Sequence, residues 1–539
     1  MIKQMQAIDY LKNTNYKETQ SFYDSIEGKF EDHLQFKNVF PRLGENAIAG
    51  LFTSQNENED QFEFVFKYPK FMNYLSIHED IIYRSLNEIS GYCPHFSRSY
   101  GLTSLKTNKN TSAENPFYIK QNSYGIVKDI LMVESLNGNP KLNSYILNPN
   151  VSDSIIFSAI KQVLLAICIA QRKKQFTHYD LHPSNIFMER CDTNLVFLYV
   201  LDEHNQFYIA PRGHFPIIFD FGLSYTKDIE NNNMRCLLEH TVTGHTPNVF
   251  DWVVDAKNFL VSVSFTLIRN RKSKKAKKLR NVIKNIFSPL KIDWDCGWNL
   301  GNEEESATEQ VVNFLGELKK VKSKLFRSRP FECIDIIQSL IILPFEQQDF
   351  DDIKANYYSF LIEWNKIENE FQSKAYLLSI LKSMVDSANS VRSYYFDENT
   401  KDGAVKIFRE EVYNSIATVS KFCRPKNVNF EVMLGSLFLL AKNIEGIYFA
   451  ISQEIEEKKK KIYDKLIVSS TEQIFAMLEV IFQDDFQFKN ETEIIIFDSI
   501  QEKTTKFKLS ETQTEHINNI SNLVKGTYIY DLYKGSIQI

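Results

Sequence analysis

The sequence predicts an α+β chain: a small β-rich N-terminal part, a larger helical part, and a mainly α-helical C-terminal extension. Three observations carry this reading. Short apolar runs alternate with turns over residues 39–135, residues 154–172 read as one long buried helix, and apolar residues recur with helical spacing from residue 248 onward. The 539 residues leave room for several domains. With 18 Gly and 14 Pro against 13% aromatic residues, a collagen-like or largely disordered chain is excluded. A net charge of −5 excludes a globally basic nucleic-acid coat.

Taken in order, residues 1–37 are polar with scattered aromatics and read as a helical lead-in. Residues 62–68 alternate like a strand, 77–89 have helical spacing, and 130–134 form a second short strand. Residues 194–209 read as strand, polar turn (202–205) and strand, which predicts a hairpin. Residues 217–221 form an apolar strand that runs into an aspartate. The acidic stretch 349–352 marks a boundary, 353–390 is amphipathic helix, and Glu454, Glu456 and Glu457 precede Lys458, Lys460 and Lys461 by four residues, as on a solvated helix face. Residues 492–497 have strand character. The division expected is 1–37, 38–135, 136–348 with insertions at 189–215 and 269–280, and 349–539.

Seven scattered cysteines without a CxxC pair fit a reducing, intracellular compartment. The N-terminus has no apolar signal-peptide core. The longest apolar stretch, 155–170, is broken by Lys161 and Gln162 and falls short of the ~20 residues of a membrane span, so none is expected.

The chemistry concentrates in HYDLHPSN (178–185), followed by the apolar IFM, and in IIFDFG (217–222). Phosphoryl transfer from ATP needs a carboxylate to orient the attacking hydroxyl and oxygen ligands for the metal that faces the phosphates. Asp180 and Asn185, five residues apart, match HxDxxxxN, and Asp220 before Phe-Gly matches DFG. Asn185 and Asp220 are the oxygen donors that Mg²⁺ prefers.

At these residues the sequence resembles the protein-kinase-like superfamily. The resemblance implies a bilobal fold, with a small β-rich N-lobe and a larger helical C-lobe, and the cofactors ATP and Mg²⁺. Residues 42–52 look like a kinase glycine loop in which Gly44 keeps the first position, Asn46 and Ala49 replace the second and third glycines, and Leu51 packs on the base. Asn and Ala are sterically tolerable replacements. A loop so poor in glycine implies that Lys67 and the metal carry more of the phosphate binding. Lys67 looks like the strand lysine of VAIK, with Glu79 as its helix partner and Glu88 as the alternative. Residues 131–136 look like the hinge, with Met132 as gatekeeper and Val133, Glu134 and their neighbours offering backbone groups to adenine.

Two departures stand out. Tyr179 replaces the Arg that normally pairs with a phosphorylated loop, which implies activity without loop phosphorylation. His182 replaces the Lys two residues after the catalytic Asp and is expected to contact the γ-phosphate as a weaker, titratable cation. The DLHPxN form is also similar to that of aminoglycoside- and choline-kinase-like enzymes, so a small-molecule kinase stays open, as does a pseudokinase or virion scaffold.

A narrower resemblance is to the serine/threonine protein kinases of nucleocytoplasmic large DNA viruses. It rests on QFTHYDLHPSNIFM (175–188), IAPRGHFP (209–216) running into IIFDFGLSY, and PFE (330–332), and covers roughly residues 40–345. It implies transfer to Ser/Thr of proteins and a place in the host cytoplasm, viral factory, virion or nucleus. By the same resemblance Asp255, or alternatively Asp251, braces the catalytic loop, and residues 223–249 are the activation segment, with Thr241, Thr243 and Thr246 as modification sites. His240 and His245 lack metal-site spacing and read as loop residues. Residues 269–280 carry eight basic residues in twelve, a solvated linker or a salt-dependent contact for acidic partners or nucleic acid.

Overall fold

The computed structural model describes residues 7–11, 16–26, 30–40, 47–55, 61–69, 73–108, 114–119, 125–136, 138–231, 250–270, 272–289, 470–482 and 486–539. The fold is α+β. Gly44, Asn46, the three threonines, His240, His245, the 349–352 boundary, and the expected helices of 353–390 and around 454–461 lie outside the described residues.

Helix α1 (Tyr16–Ser25) and the turn α2 (Phe30–His33) lead into strands β1 (Gln35–Val39), β2 (Ala47–Gln55) and β3 (Gln61–Pro69). Helix α3 (Asn73–Ile89) separates these from β4 (Ser99–Thr107) and β5 (Ile126–Glu134). The strands form an antiparallel sheet in the order β1-β2-β3-β5-β4. The period-2 pattern of β3 sorts its side chains. Phe62, Phe64, Phe66 and Tyr68 join Phe52, Ile130 and Met132 in an aromatic core on one face. Tyr23 of α1 belongs to that core, and Phe22 stacks on Phe62 with centroids 4.5 Å apart. Each fully buried ring contributes about 1.5–3 kcal/mol by removal from water. The residues read as a lead-in are thus the cover of this sheet, and Ala7 and Ile8 are buried in the main core, with the Ala7 N–H donating to Ser90 O at 2.8 Å. The other face of β3, carrying Val65 and Lys67, turns toward α3.

Helix α4 (Leu142–Leu147) is followed by α5 (Asp153–Lys174), the axis of the main core. Ser152 caps α5 by accepting the Ser154 N–H, and Gln175 closes it in a left-handed conformation (φ 48°). α5 is 22 residues long and apolar enough to cross a membrane by composition, so the sequence-derived stretch was too short. However, its residues from Ser158 to Gln171 are all buried inside the protein, as befits a core helix. The interrupting Lys161 is buried too, paired with Glu479 at 2.8 Å.

Strands β6 (Ile186–Arg190), β7 (Leu195–Val200), β8 (Gln206–Ile209) and β9 (His214–Ile218) follow, then α6 (Lys227–Asn231), α7 (Val254–Asn270) and α8 (Lys274–Ile286). β6 and β9 form a two-stranded ladder under the site, and β7–β8 is the hairpin expected from the sequence. Asp202 shapes its turn by accepting the N–H groups of His204 and Asn205.

Beside α9 (Thr471–Ile481), α10 (Glu511–Asn519) and α11 (Lys525–Tyr533), the described residues of the tail contain the hairpin β10 (Glu493–Asp498) and β11 (Lys503–Lys508), where β10 is the strand expected at 492–497. β10 lies parallel to β7, giving a four-stranded sheet β11-β10-β7-β8. The cause is the run Ile494–Ile496, which is apolar on both faces and needs cover on both. The basic end of α5 ties this sheet down. Arg172 pairs with Asp202 and, through both guanidinium ends, with Glu472; Lys173 pairs with Glu502; Lys174 pairs with Glu88 and Asp228. Thr504 Oγ1 donates to Gly91 O at 2.8 Å, just beyond α3.

Candidate active site

The site lies where β3, α3, the 178–185 loop and the segment after β9 meet. The register places Lys67 opposite Leu131 and Ala49 opposite Lys67, so Ala49, Lys67 and Leu131 share the face turned to α3, with Leu51 and Val65 alongside. Lys67 Nζ donates to Glu79 Oε1 at 2.8 Å and to Asp220 Oδ1 at 2.6 Å. Glu88, nine residues along α3 and so on the opposite side of the helix, pairs with Lys174 instead. Burial alone would lower the Lys67 ammonium, but the carboxylates of Asp220 and Glu79 outweigh it and keep it protonated. Lys67 in turn holds Asp220 below the usual carboxylate range. Burial pushes Glu79 upward against the pull of Lys67.

Asp220 sits at φ 70°, uncommon for a non-glycine residue. Phe221 behind it is fully buried against Tyr83 of α3, Phe176 and His178, an aromatic tie between α3 and the loop. Sequence reasoning did not single Phe221 out, although its place between Asp220 and Gly222 was the signal.

The 178–185 loop is built on satisfied backbone groups. The buried Asp255 of α7 accepts the N–H groups of His178 at 2.7 Å and Tyr179 at 2.9 Å. Asp251 instead caps α7, accepting from Val253 and Val254. His178 donates from Nε2 to Phe219 O at 3.1 Å and accepts the Asp180 N–H at Nδ1, which fixes its neutral tautomer. Tyr179 takes a left-handed backbone (φ 64°) and buries its ring in the main core. Asn185 Nδ2 donates to Asp180 O at 3.1 Å and Oδ2 at 3.2 Å. Asn185 Oδ1 thereby stays available as a metal ligand. Burial, reinforced by the charge of Asp220, pushes Asp180 up to about 7, against the Asn185 hydrogen bond and Lys67.

Three expected roles need correction. Met132 belongs to the aromatic core on the far face of the sheet, because Lys67 pairs with Leu131; Leu131 takes the inward position. Glu134 is consumed by Arg98: its carboxylate accepts from Arg98 N at 2.8 Å and Nη2 at 2.8 Å, and its own N–H donates to Arg98 O. His182 is no titratable cation near neutral pH. Burial, with His178 and Lys141 adding to it, holds it at about 4. Its Nδ1 accepts the Ser184 N–H, and Nε2 lies 3.7 Å from Asp180 Oδ1.

The donor set fits a divalent cation held mainly by a phosphorylated ligand. Asp220 and Asn185 offer hard oxygens. No group of three His, Cys, Asp or Glu among the described residues forms a protein-only cage. Taken together, the arrangement offers one fixed cation, one ionised carboxylate, an oriented amide and a carboxylate poised near neutral pH.

No family model matches this chain. It is similar to Uncharacterized protein 098R of Invertebrate iridescent virus 6, at 24% identity over 522 residues, covering 87% of this chain and 86% of that protein. It is also similar to Uncharacterized protein 038R of Invertebrate iridescent virus 3, at 28% identity over 491 residues, covering 86% and 87%. The relatives are viral proteins, and the similarity spans most of each chain.

Proposed function

We propose that the chain is an ATP- and Mg²⁺-dependent serine/threonine protein kinase with a bilobal, protein-kinase-like architecture. In this reading the five-stranded sheet with α3 is the N-lobe and the elements around α5 are the C-lobe. The observation that carries the proposal is the Lys67–Glu79–Asp220 cluster facing Asp180 and Asn185. Four segments distant in sequence converge on the groups that phosphoryl transfer needs.

Lys67, steadied by Glu79, binds the α/β-phosphates. Asp180 accepts a hydrogen bond from the acceptor hydroxyl and takes its proton. Asn185 orients Asp180 through Nδ2, and the Asn185 amide oxygen and the Asp220 carboxylate would hold the cation. Mg²⁺, when bound there, supplies charge neutralisation for the phosphate oxygens. Leu51, Ala49, Leu131 and Val133 form the apolar wall for the base. Catalysis is then positioning and charge stabilisation. The viral relatives support a role in an infected cell. The exposed Lys274, Lys275, Lys277 and Lys278 of α8 support a salt-dependent contact with an acidic partner.

The test is a labelled-ATP assay on the full chain with basic proteins, choline and aminoglycosides as acceptors. Label on Ser/Thr that disappears in Asp180→Ala, while nucleotide binding persists, is the expected result. Label on a small molecule alone would reassign the acceptor class, and label unchanged in Asp180→Ala would remove the proposal.

A further inference from the structure

Glu79 meets Lys67 only while α3 stays in place, and α3 is fastened to the segment that follows Asp220. Close to the site the Phe221 ring meets Tyr83 of α3 edge-on, with centroids 4.8 Å apart. Farther along the helix Ser85 Oγ donates to Asp228 Oδ2 at 2.6 Å. Ser85 follows Glu79 by six residues, about 9 Å along the axis of α3. Ser85 is buried, and so is Ile229 beside Asp228, which packs into the main core and holds α6 from behind. Lys174, at the end of α5, brings its Nζ to 3.5 Å from the same Asp228 Oδ2 and also pairs with Glu88 of α3. One carboxylate thus joins α3, α5 and α6.

The chain between Asp220 and Asp228 is short and held on its way. Ser224 Oγ donates to His178 O at 3.2 Å. Tyr225 and Thr177 exchange backbone hydrogen bonds of 2.7 and 2.9 Å. The segment is therefore fixed to Lys67 at its start, to the 178–185 loop in its middle and to α3 at its end. Lys67 has to reach two carboxylates on different elements, at 2.8 Å on α3 and 2.6 Å after β9. A displacement of α3 by about 1 Å breaks the first contact and spares the second, and misplacements of that size cost catalysis heavily. Resting on the phosphoryl-transfer reading above, we infer that Asp228 is a positioning residue, which holds α3 against the segment carrying Asp220 so that Lys67 meets Glu79 and Asp220 together. Asp228 acts through α3 and touches no substrate.

The experiment compares the full-length wild type with Asp228→Ala, Ser85→Ala and the double variant. Hydrogen exchange followed by mass spectrometry reads the amides of α3 and α5, and the labelled-ATP assay reads kcat and KM for ATP. The inference predicts that exchange over residues 79–89 accelerates about tenfold in Asp228→Ala, the scale of one charge-assisted hydrogen bond, while α5 stays protected. It predicts that kcat falls about tenfold and KM for ATP changes by less than about threefold. Ser85→Ala should move the same quantities in the same direction, and the double variant should match Asp228→Ala, because both substitutions remove one contact. Unchanged exchange in α3 would overturn the inference, as would losses that add in the double variant. Protection lost equally in α3 and α5 would mark a general loss of stability and overturn it too. A wild type that transfers no label would remove the phosphoryl-transfer reading. Exchange would then decide the brace by itself, with a loss confined to α3 supporting it and no loss overturning it.

Discussion

Asp255 offers the sharpest structural prediction. Its carboxylate is fully buried, and its two oxygens accept one backbone N–H each, from His178 and Tyr179. Asp255→Ala leaves both donors buried without a partner, at about 1–3 kcal/mol each, so a total loss of about 2–6 kcal/mol is expected. Asp255→Asn keeps one acceptor oxygen and turns an NH₂ toward the second donor, which places its cost at about 1–3 kcal/mol. A local effect accompanies the global one. Tyr179 is held at φ 64°, a conformation that costs of order 1 kcal/mol and persists only while its surroundings impose it. Without Asp255 the backbone relaxes and carries Asp180 with it. Urea denaturation reads the stability, and hydrogen exchange followed by mass spectrometry reads the amides of the 177–180 segment. Both variants should lose protection there, alanine more than asparagine. An alanine variant with unchanged midpoint and unchanged exchange at these amides would refute the bracing role.

Other outcomes follow from the same geometry. Lys67→Met should abolish detectable transfer and weaken ATP more than adenosine, whereas Glu88→Gln should leave transfer within about twofold, because Glu88 meets Lys174 rather than Lys67. His95 is buried and neutral, donating to Pro216 O and accepting from Tyr199 Oη, with its pKa lowered by burial from 6.5 to about 4. As pH falls below about 6.5 the unfolded chain takes up this proton first, so stability present at neutral pH is lost down to pH 4. His95→Gln should remove about 3 kcal/mol of that loss, measured as the difference between the two pH–stability curves. Ile495→Ala, in the centre of β10, should cost about 2–5 kcal/mol in urea denaturation and expose the β7–β8 hairpin to protease; unaltered cleavage would argue that the tail is dispensable to that sheet.

The residues that meet at the candidate site were legible because short motifs mark them: Asp180 and Asn185 share a loop, and Asp220 follows a strand. What required the structure was phase and partner. Residues 130–133, ILMV, are apolar throughout, so nothing in them says which side chain faces α3; the pairing of Lys67 with Leu131 decides, and it turns Met132 away. Glu134 reads as available until Arg98, 36 residues earlier, is brought against it. Glu79 and Glu88 differ by half a turn of phase on one helix, and only the position of the sheet selects between them. Residues 492–497 announced a strand, but its partner β7 lies almost 300 residues away, beyond any local pattern. The same distance hid the role of Arg172 and Lys173, which look like an ordinary basic helix end until Glu472 and Glu502 of the tail return to meet them.

The proposed transfer of the γ-phosphoryl group to a hydroxyl whose proton Asp180 takes is tested most directly by incubating the full chain with γ-labelled ATP and Mg²⁺, beside Asp180→Asn under identical conditions, and identifying the labelled residue. Label is expected on serine or threonine in the wild type, lost on chelation of the metal and reduced at least about a hundredfold in Asp180→Asn. Equal label in the two proteins, or none in a wild type shown to bind ATP, would contradict it.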